Sequence, residues 1–347
     1  MPDGSPDQPS TIQPAQQAGK MLAHVAGFIA VRTMQLGMDT GLIEKLGSHP
    51  EGLTSDQLAD SAKTDPLYTE VWCNAAYGAE IIDLTADRRW TMAPHIETVL
   101  LNQDSPGYVG GVARIFDNPE MFTEFGTRLK TGQRIWWDEC SPEFIRGVSG
   151  TSRPFYTRAI PGALSPIPGL VDRLNGGGKI VELASGTGYG MTRMLDQFPE
   201  TEVVGVDGDQ FSLDMAVELL ESSGLSDRGS VRKSTLEDFE SEAEFDLAFI
   251  NVSMHECRDI DLVTQNILKA LKPGGVFVIS DFAFPGDKEG LRGIPGRVMS
   301  GIQFFEAQIG DQLLPTSAYV ELLKKHGYRD VDSFDLAPIH GITYGTK

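Results

Sequence analysis

The sequence is short of cysteine, of long apolar runs and of basic residues, and each shortage excludes a class of protein. Its three cysteines, Cys73, Cys140 and Cys257, are scattered and show no Cys-x-x-Cys spacing. This pattern argues against a disulfide framework or a structural zinc site and favours a reducing compartment. We therefore expect a cytoplasmic location.

Apolar runs are too short to predict a membrane span. The best one, Met21 to Val31, is broken by His24 and Gly27, and a span needs about 18 apolar residues. Residues 1–14 are rich in Pro, Ser and Gln and lack the basic and apolar regions of a signal peptide. We expect this segment to be a disordered tail.

Basic residues are outnumbered, with 29 Lys and Arg against 49 Asp and Glu and a net charge of −20. Such a surface repels phosphate backbones and anionic lipid headgroups, so neither nucleic acid nor membrane is an expected partner. The charge is compatible with a small neutral or cationic ligand, or it serves solubility alone.

Residues 15–103 have the order of a winged helix, three helices followed by a hairpin. An apolar helix is predicted over Lys20 to Leu36, Thr54 and Gln57 form a capping box, and Asp65-Pro66 opens a third helix. Two strands are predicted at Glu80 to Leu84 and Trp90 to Ala93. The negative charge and the scarcity of Lys and Arg favour dimerisation over DNA binding, which stays the alternative.

Residues 104–173 predict a helical connector and substrate-chamber segment. It carries a group of aromatic residues, Trp136, Trp137, Phe155 and Tyr156. These form either a wall for a flat substrate or an apolar core between domains. The Pro- and Gly-rich stretch 161–178 is typical of a linker.

Residues 174–347 alternate between apolar strands and helices, which predicts an α/β fold with a doubly wound, mostly parallel, seven-stranded sheet. The last two strands, 328–336 and 339–345, have no helix between them and predict an antiparallel edge. The preceding insertion, 282–315, contains several glycines and is either a mobile lid or a rigid excursion.

A glycine-rich turn follows the first of these strands and is the strongest signal for function. It contains Glu182, Gly186, Gly188 and Gly190, and the next strand ends in Asp207. Glycines allow close approach to a ligand, so a side chain at Gly188 is expected to enter its space, and an acid at a second strand end suits a ribose. The spacing G-x-G-x-G differs from the G-x-G-x-x-G of nicotinamide enzymes.

This half resembles the class I S-adenosylmethionine-dependent methyltransferases, because Phe245 to Asn251 and Leu271 to Gly275 match later family segments. The resemblance implies S-adenosylmethionine as the cofactor. It implies cofactor contacts from Glu182, the three glycines, Asp207 and Asn251. The family usually has Gly-Asp after strand three, where this chain has Ser234-Thr235, so Thr235 or the Leu236 backbone would meet adenine.

The amino-terminal half resembles the winged-helix dimerisation region of bacterial and plant-type O-methyltransferases. The resemblance lies in the turn Gly41-Leu42 and in Leu53-Thr54-Ser55-Asp56-Gln57-Leu58-Ala59. It implies a homodimer that acts on a small-molecule methyl acceptor.

The catalytic candidates are His255 and Glu256, after strand four, at the place of a His-Asp general base in plant-type O-methyltransferases. His255 is either the base or a packing residue, and Glu256 either orients it or is a solvated acid. Asp281 either touches substrate or caps a turn, and His340 is expected to be an ordinary loop residue. The Asp-Asn pair of metal-dependent relatives is absent from Ser280-Asp281-Phe282, so no metal is expected.

The sequence therefore predicts an enzyme that methylates a small molecule at a hydroxyl by in-line transfer. Two alternatives stay open. One is a catalytically silent winged-helix regulator that binds S-adenosylmethionine, and the other is a nicotinamide-dependent oxidoreductase.

Overall fold

The computed structural model describes residues 12–116, 119–135 and 142–347. It divides into two compact units, the first ending at Asn102 and the second beginning at Gln103. Most of the predicted tail, together with Trp136 and Trp137, lies outside the described residues.

The first unit consists of helices and one short hairpin. Its elements are α1 (Pro14–Asp39), α2 (Leu42–Gly47), α3 (Ser55–Ala62), α4 (Pro66–Gly78), β1 (Ile82–Leu84), β2 (Trp90–Met92) and α5 (Ile96–Leu100). Strands β1 and β2 pair antiparallel. Ile43, Leu58, Cys73 and Ile82 lie in a core that is closed to solvent.

Local side-chain chemistry explains where these helices begin. The Thr54 hydroxyl accepts a hydrogen bond from the Gln57 N–H, and the Gln57 side chain accepts one from the Thr54 N–H, so the predicted capping box is present. Asp65 caps α4 in the same way, and Pro66 occupies the first turn, where its missing N–H has no cost.

Helix α1 leaves most of its apolar surface exposed. Leu22, Val25, Phe28 and Ile29 are all more than half exposed. By length and composition alone, α1 is apolar enough to cross a membrane, although the sequence contains no uninterrupted apolar run of that length. An apolar stripe of this size on a water-facing helix calls for a partner surface.

The second unit is built around one large sheet. Its helices are α6 (Gly110–Phe116), α7 (Pro119–Thr131), α8 (Pro142–Gly162), α9 (Leu170–Asn175), α10 (Tyr189–Gln197), α11 (Gln210–Ser222), α12 (Ile260–Ala270), α13 (Ile294–Ile309) and α14 (Thr316–Lys325). Its strands are β3 (Lys179–Leu183), β4 (Glu202–Asp207), β5 (Gly229–Lys233), β6 (Phe245–Asn251), β7 (Leu271–Phe282), β8 (Arg329–Ala337) and β9 (His340–Thr346).

Among the described residues, the sheet has seven strands in the order β5-β4-β3-β6-β7-β9-β8. The first five are parallel, and β9 runs antiparallel to both β7 and β8. The predicted fold class and the antiparallel edge are confirmed. Because the sheet carries a separate apolar core on each face, its central strands β3 and β6 are buried over almost their whole length, whereas the edge strands β5 and β8 are partly exposed.

The segment 161–178, predicted as a linker, instead belongs to the core. Leu164, Ile167, Leu170 and Leu174 are all buried against the sheet with Val278 and Ile342. Leu170 and Leu174 lie on α9, whereas Leu164 and Ile167 lie in the turns before it, so the prolines and glycines shape turns that are themselves packed in the core.

The insertion 282–315 contains a full helix, α13, whose Met299 and Ile302 are buried beside Phe116 and Phe282. Phe304 contacts the rings of Phe122 and Phe125 on α7. The insertion is therefore a packed element in this conformation, and its opening as a lid stays a prediction.

Candidate functional site

The glycine-rich turn joins β3 to α10, and its glycines have different tasks. A Cβ atom at Gly186 (φ +51°) would meet nothing within 4 Å, so this position faces open space. A Cβ atom at Gly188 (φ +83°) would lie 2.8 Å from the Ala216 Cβ on α11. The expectation that a Gly188 side chain would enter ligand space is therefore wrong, because it would collide with α11.

Gly190 is required by the residue beneath it. A Cβ atom there would lie 2.0 Å from Glu182 Oε1 and 2.2 Å from the Tyr156 ring. The first turn of α10 thus rests directly on the Glu182 carboxyl group, at the carboxyl end of β3.

Asp207, at the end of β4, holds the turn in place. Its Oδ2 accepts a hydrogen bond of 2.8 Å from the Gly186 N–H, and its Oδ1 accepts one of 2.8 Å from the Asp209 N–H. Burial raises the pKa of Asp207, and these two backbone donors oppose that shift. Each oxygen keeps a lone pair with which it can accept a ribose hydroxyl.

Glu182 is fully buried, and neither of its oxygens receives a hydrogen bond of good geometry. Burial raises the pKa of Glu182 to about 8, and the neighbouring Tyr156 hydroxyl offsets this only in part. A buried acceptor without a partner is costly, so this group gains from a ligand that donates to it.

Asn251 is the last residue of β6, and only one of the two polar atoms of its side-chain amide has a hydrogen-bond partner of good geometry. Its Oδ1 accepts a hydrogen bond of 2.7 Å from the Ser280 hydroxyl, whereas its buried Nδ2 has no partner. The Ser185 hydroxyl in the glycine-rich turn is also buried without a partner. These orphan groups, with the open space at Gly186, fit an amino-acid and ribose-bearing cofactor.

Thr235 and Leu236 lie beside Asp207, because the Ser234 N–H donates to the Asp207 carbonyl. The exposed Thr235 hydroxyl exchanges hydrogen bonds with Asp238, and its side chain is occupied in shaping the loop. Leu236 is half-buried against the core. Their contact with adenine stays a prediction.

A second polar group surrounds His255, in a short 3-10 turn after β6. His255 Nδ1 lies 2.9 Å from the Asp281 carboxylate at the end of β7, and that carboxylate also accepts from the Tyr319 hydroxyl and the Phe282 N–H. His255 Nε2 lies 3.6 Å from Glu306 Oε2 on α13. Asp281 is thus a fixed partner of the imidazole.

Charge dominates this centre. Burial alone would lower the pKa of His255, but the carboxylates of Asp281 and Glu306 outweigh burial and raise the pKa well above its usual value. The charged form of the imidazole is therefore favoured while Glu306 faces it, and it is favoured less once Glu306 moves away. Glu306 and Tyr319 lie 51 and 64 positions along the chain from His255, and the sequence analysis missed both.

Glu256 does not orient His255, because Asp281 does so. It is half-buried and lies near Glu306 and Asp311, and burial followed by these acids raises its pKa well above the usual value. The sequence-based alternative of a partly solvated acid therefore stays a prediction. Ligand atoms of His255, Glu256 and Glu306 lie within 4.8 Å of one another, which is a donor set that a divalent cation could use. The expectation of no metal stays a prediction.

His340 is not the loop residue that the sequence suggested. It is fully buried at the start of β9, where it pairs in register with Phe282 of β7. Its Nε2 lies 2.7 Å from the Ser280 hydroxyl, and Arg158 donates to its Nδ1 at 3.1 Å. The antiparallel edge strand brings it into the sheet.

Phe155 and Tyr156, the two described members of the predicted aromatic group, are core residues. Phe155 packs against Phe282 and His340, and Tyr156 packs against Tyr189 and Phe249. Both are about 95% buried. For these two, the core interpretation is favoured over a substrate wall.

Residues 174–309 match a family model described as a methyltransferase domain. A curated relative, sterol 24-C-methyltransferase erg6 of Aspergillus fumigatus, is 25% identical over 169 residues. The match covers 46% of this chain and 42% of the relative, so the chain aligns with less than half of that protein.

Two solved structures show the fold over nearly the whole chain. A putative O-methyltransferase from Nostoc punctiforme is 14% identical, with a TM-score of 0.72 over 97% of this chain and 100% of its own. Human N-acetylserotonin methyltransferase, in complex with its S-adenosylmethionine, is 13% identical, with a TM-score of 0.67 over 98% and 99%. At these identities the likeness concerns the fold alone.

The unpartnered Glu182 carboxyl group predicts an unusual pH dependence of stability. Its pKa rises from 4.5 to about 8 on folding, so the ionised form is disfavoured in the folded state. The contribution of Glu182 to stability is then greatest below pH 4.5 and falls as the pH rises towards about 8, by at most about 1.4 kcal/mol per unit. In Glu182→Gln this loss should be absent, as measured by urea unfolding between pH 5 and 8.

Glu244 provides a control of opposite sign. Its hydrogen bonds with Arg232 lower its pKa to about 2, so its contribution is present above pH 4.5 and is lost as the pH falls. Glu244→Gln should therefore be less stable than the wild type above pH 4.5, and the difference should disappear as the pH falls towards 2. Parallel stability curves for Glu182→Gln and the wild type above pH 5 would contradict the burial argument.

Proposed function

We propose that this chain, whose carboxy-terminal unit carries a class I methyltransferase domain, transfers a methyl group from S-adenosylmethionine to a hydroxyl group of a small molecule. The domain match and the fold confirm the resemblance found in the sequence. The observation that carries the acceptor type is the buried His255–Asp281 pair, which lies at the same edge of the sheet as the glycine-rich turn.

The cofactor's parts match the groups described above. Asp207 would accept the ribose hydroxyls, and the open face at Gly186 admits the cofactor next to the backbone. Glu182 and Asn251 would meet its amino-acid end, and the loop at Thr235 and Leu236 its adenine. The cofactor supplies an activated methyl group on a sulfonium. The protein therefore has to align the acceptor with that methyl group and to exclude water.

A hydroxyl acceptor must also lose a proton. His255 is the proposed base, because Asp281 holds Nδ1 and leaves Nε2 to meet the acceptor. Glu306 now occupies the approach to Nε2, so the acceptor must displace it. Once the proton has moved, the Asp281 carboxylate at Nδ1 stabilises the imidazolium, since it is the main cause that raises the pKa of His255.

The names of structurally similar proteins support this choice of acceptor. The Nostoc punctiforme protein is called an O-methyltransferase, and so is a mitomycin-modifying relative, a mitomycin 7-O-methyltransferase. A silent regulator would have no use for a buried His–Asp pair beside the cofactor. We further propose a cytoplasmic enzyme whose acidic surface binds neither nucleic acid nor membrane.

The first test concerns the cofactor. Asp207→Asn should weaken binding of S-adenosylmethionine by about 1–3 kcal/mol, since a charged acceptor of the ribose hydroxyls is lost. Titration calorimetry measures this directly. Asp209→Asn, which alters the neighbouring carboxylate that caps α11, is the control and should bind nearly as the wild type does. Wild-type affinity in the Asp207 variant would remove the ribose assignment.

A second test concerns His255. His255→Ala should slow single-turnover methyl transfer by roughly 10²–10⁴ while cofactor affinity is kept. The loss should grow as the acceptor hydroxyl becomes less acidic, because a strongly acidic phenol needs less help from a base. His326→Ala removes another histidine paired with an aspartate, Asp261, and should leave the rate unchanged. An unchanged rate in folded His255→Ala, with turnover intact, would leave positioning as the mechanism.

We also propose that the first unit mediates a homodimer through α1. Leu22, Val25 and Ile29 form one exposed stripe and are 67%, 53% and 52% exposed. Substituting all three by Glu should convert the dimer to monomer in sedimentation velocity, because apolar contact area is lost. Gln17→Glu on the same helix is the control. A monomeric wild-type protein would refute the proposal.

A further inference from the structure

The proposed reaction assigns no role to the buried His340. Its hydrogen-bond partners determine which of its two ring nitrogens donates and which accepts. Arg158 Nε lies 3.1 Å from Nδ1, and Ser280 Oγ lies 2.7 Å from Nε2. A guanidinium can only donate, so Nδ1 must be an acceptor. The neutral ring then carries its proton on Nε2 and donates it to Ser280.

The imidazole stays neutral in this setting. Burial and the Arg158 charge together lower the pKa of His340 well below its usual value. Arg158 is itself fixed, since it donates to the Pro106 carbonyl at 2.8 Å and lies 4.7 Å over the Phe155 ring. The tautomer of His340 is therefore set by a charge that does not move.

The polarity continues across the sheet. Ser280 has one hydroxyl proton, and it is donated to Asn251 Oδ1 at 2.7 Å. The amide oxygen of Asn251 therefore already accepts a hydrogen bond, and its NH₂ group is the end that remains available as a donor. Each hydrogen bond from Arg158 through His340 and Ser280 to Asn251 points in the same direction, from β9 through β7 to β6.

At the Asn251 end of this series of hydrogen bonds, one donor and one acceptor lack a hydrogen bond of good geometry. Asn251 Nδ2 and both oxygens of Glu182 are buried without a hydrogen bond of good geometry, although the Tyr156 hydroxyl lies close enough to interact with both residues. Strands β3 and β6 are paired neighbours, so both side chains belong to one edge of the sheet. A donor next to a carboxyl group complements an α-amino acid, whose carboxylate accepts and whose ammonium donates.

We infer that Arg158, His340 and Ser280 are positioning residues that hold the Asn251 amide as a donor towards the amino-acid end of the cofactor, which the proposed function assigns to Asn251 and Glu182. This inference rests on the proposed function, because S-adenosylmethionine carries such a group. None of the three positioning residues touches the cofactor itself.

The tautomer can be observed without any ligand. In ¹⁵N NMR spectra of the imidazole, His340 of the wild type should show a protonated Nε2 and a bare Nδ1. Arg158→Met removes the obligatory donor, so the spectrum should then show a mixture of the two tautomers. If Nδ1 of His340 carries the proton in the wild type, the inferred direction of the hydrogen bonds from Arg158 to Asn251 is wrong.

Ligand binding tests whether these hydrogen bonds position Asn251 for the cofactor. Ser280→Ala should weaken binding of S-adenosylmethionine by about tenfold, the worth of one hydrogen bond to a charged group. Binding of 5′-methylthioadenosine, which lacks the amino-acid end, should not change. Ser280→Thr keeps a hydroxyl and should restore the affinity. Thr343→Val removes another buried hydroxyl, on β9, and is the control for stability.

The outcomes separate this inference from the proposed function. Equal losses for both ligands in Ser280→Ala would mean a structural role and would overturn the inference. A wild-type protein that binds S-adenosylmethionine no more tightly than 5′-methylthioadenosine would overturn the amino-acid subsite. A wild-type protein that binds neither ligand would refute the proposed function, whereas the tautomer of His340 would still be readable.

Discussion

The carboxyl ends of the parallel strands impose the constraint on which the rest of this structure depends. Glu182, Asp207, Asn251 and Asp281 each lie at or next to the last residue of a strand, where parallel strands bring polar side chains to one edge. Burying such groups is costly. Two extensive apolar cores, one on each face of the sheet, offset that cost and hold the groups in place.

The sequence was informative where an interaction is local. The turn from β3 to α10, the capping box at Thr54 and the acid at Asp207 depend on residues a few positions apart, or on a pattern of alternating strands and helices. The parallel sheet followed from apolar runs of strand length. The segment 161–178 was misjudged because its proline and glycine content was weighed above its apolar residues, which are buried in turns as well as on α9.

Long-range partners could not be predicted in the same way. Asp281 and Tyr319 meet across 38 positions, and Arg158 and His340 across 182. These contacts depend on the order of strands in the sheet and on the packing of α8 and α14. Local sequence spacing predicts neither feature. Glu306 is the clearest case, because an acid in an apolar helix gives no sign of which histidine it will face.

Strand β7 connects the two halves of the site, and it does so through the two-residue period of a β-strand. Ser280 points to the face that carries His340 and Asn251, whereas its neighbour Asp281 points to the face that carries His255 and Tyr319. One residue therefore serves the proposed cofactor subsite and the next serves the proposed base. A shift of register at this strand end would exchange their faces and disconnect both groups at once, so the pairing of β7 with β6 and β9 fixes the spacing between the proposed cofactor subsite and the proposed base.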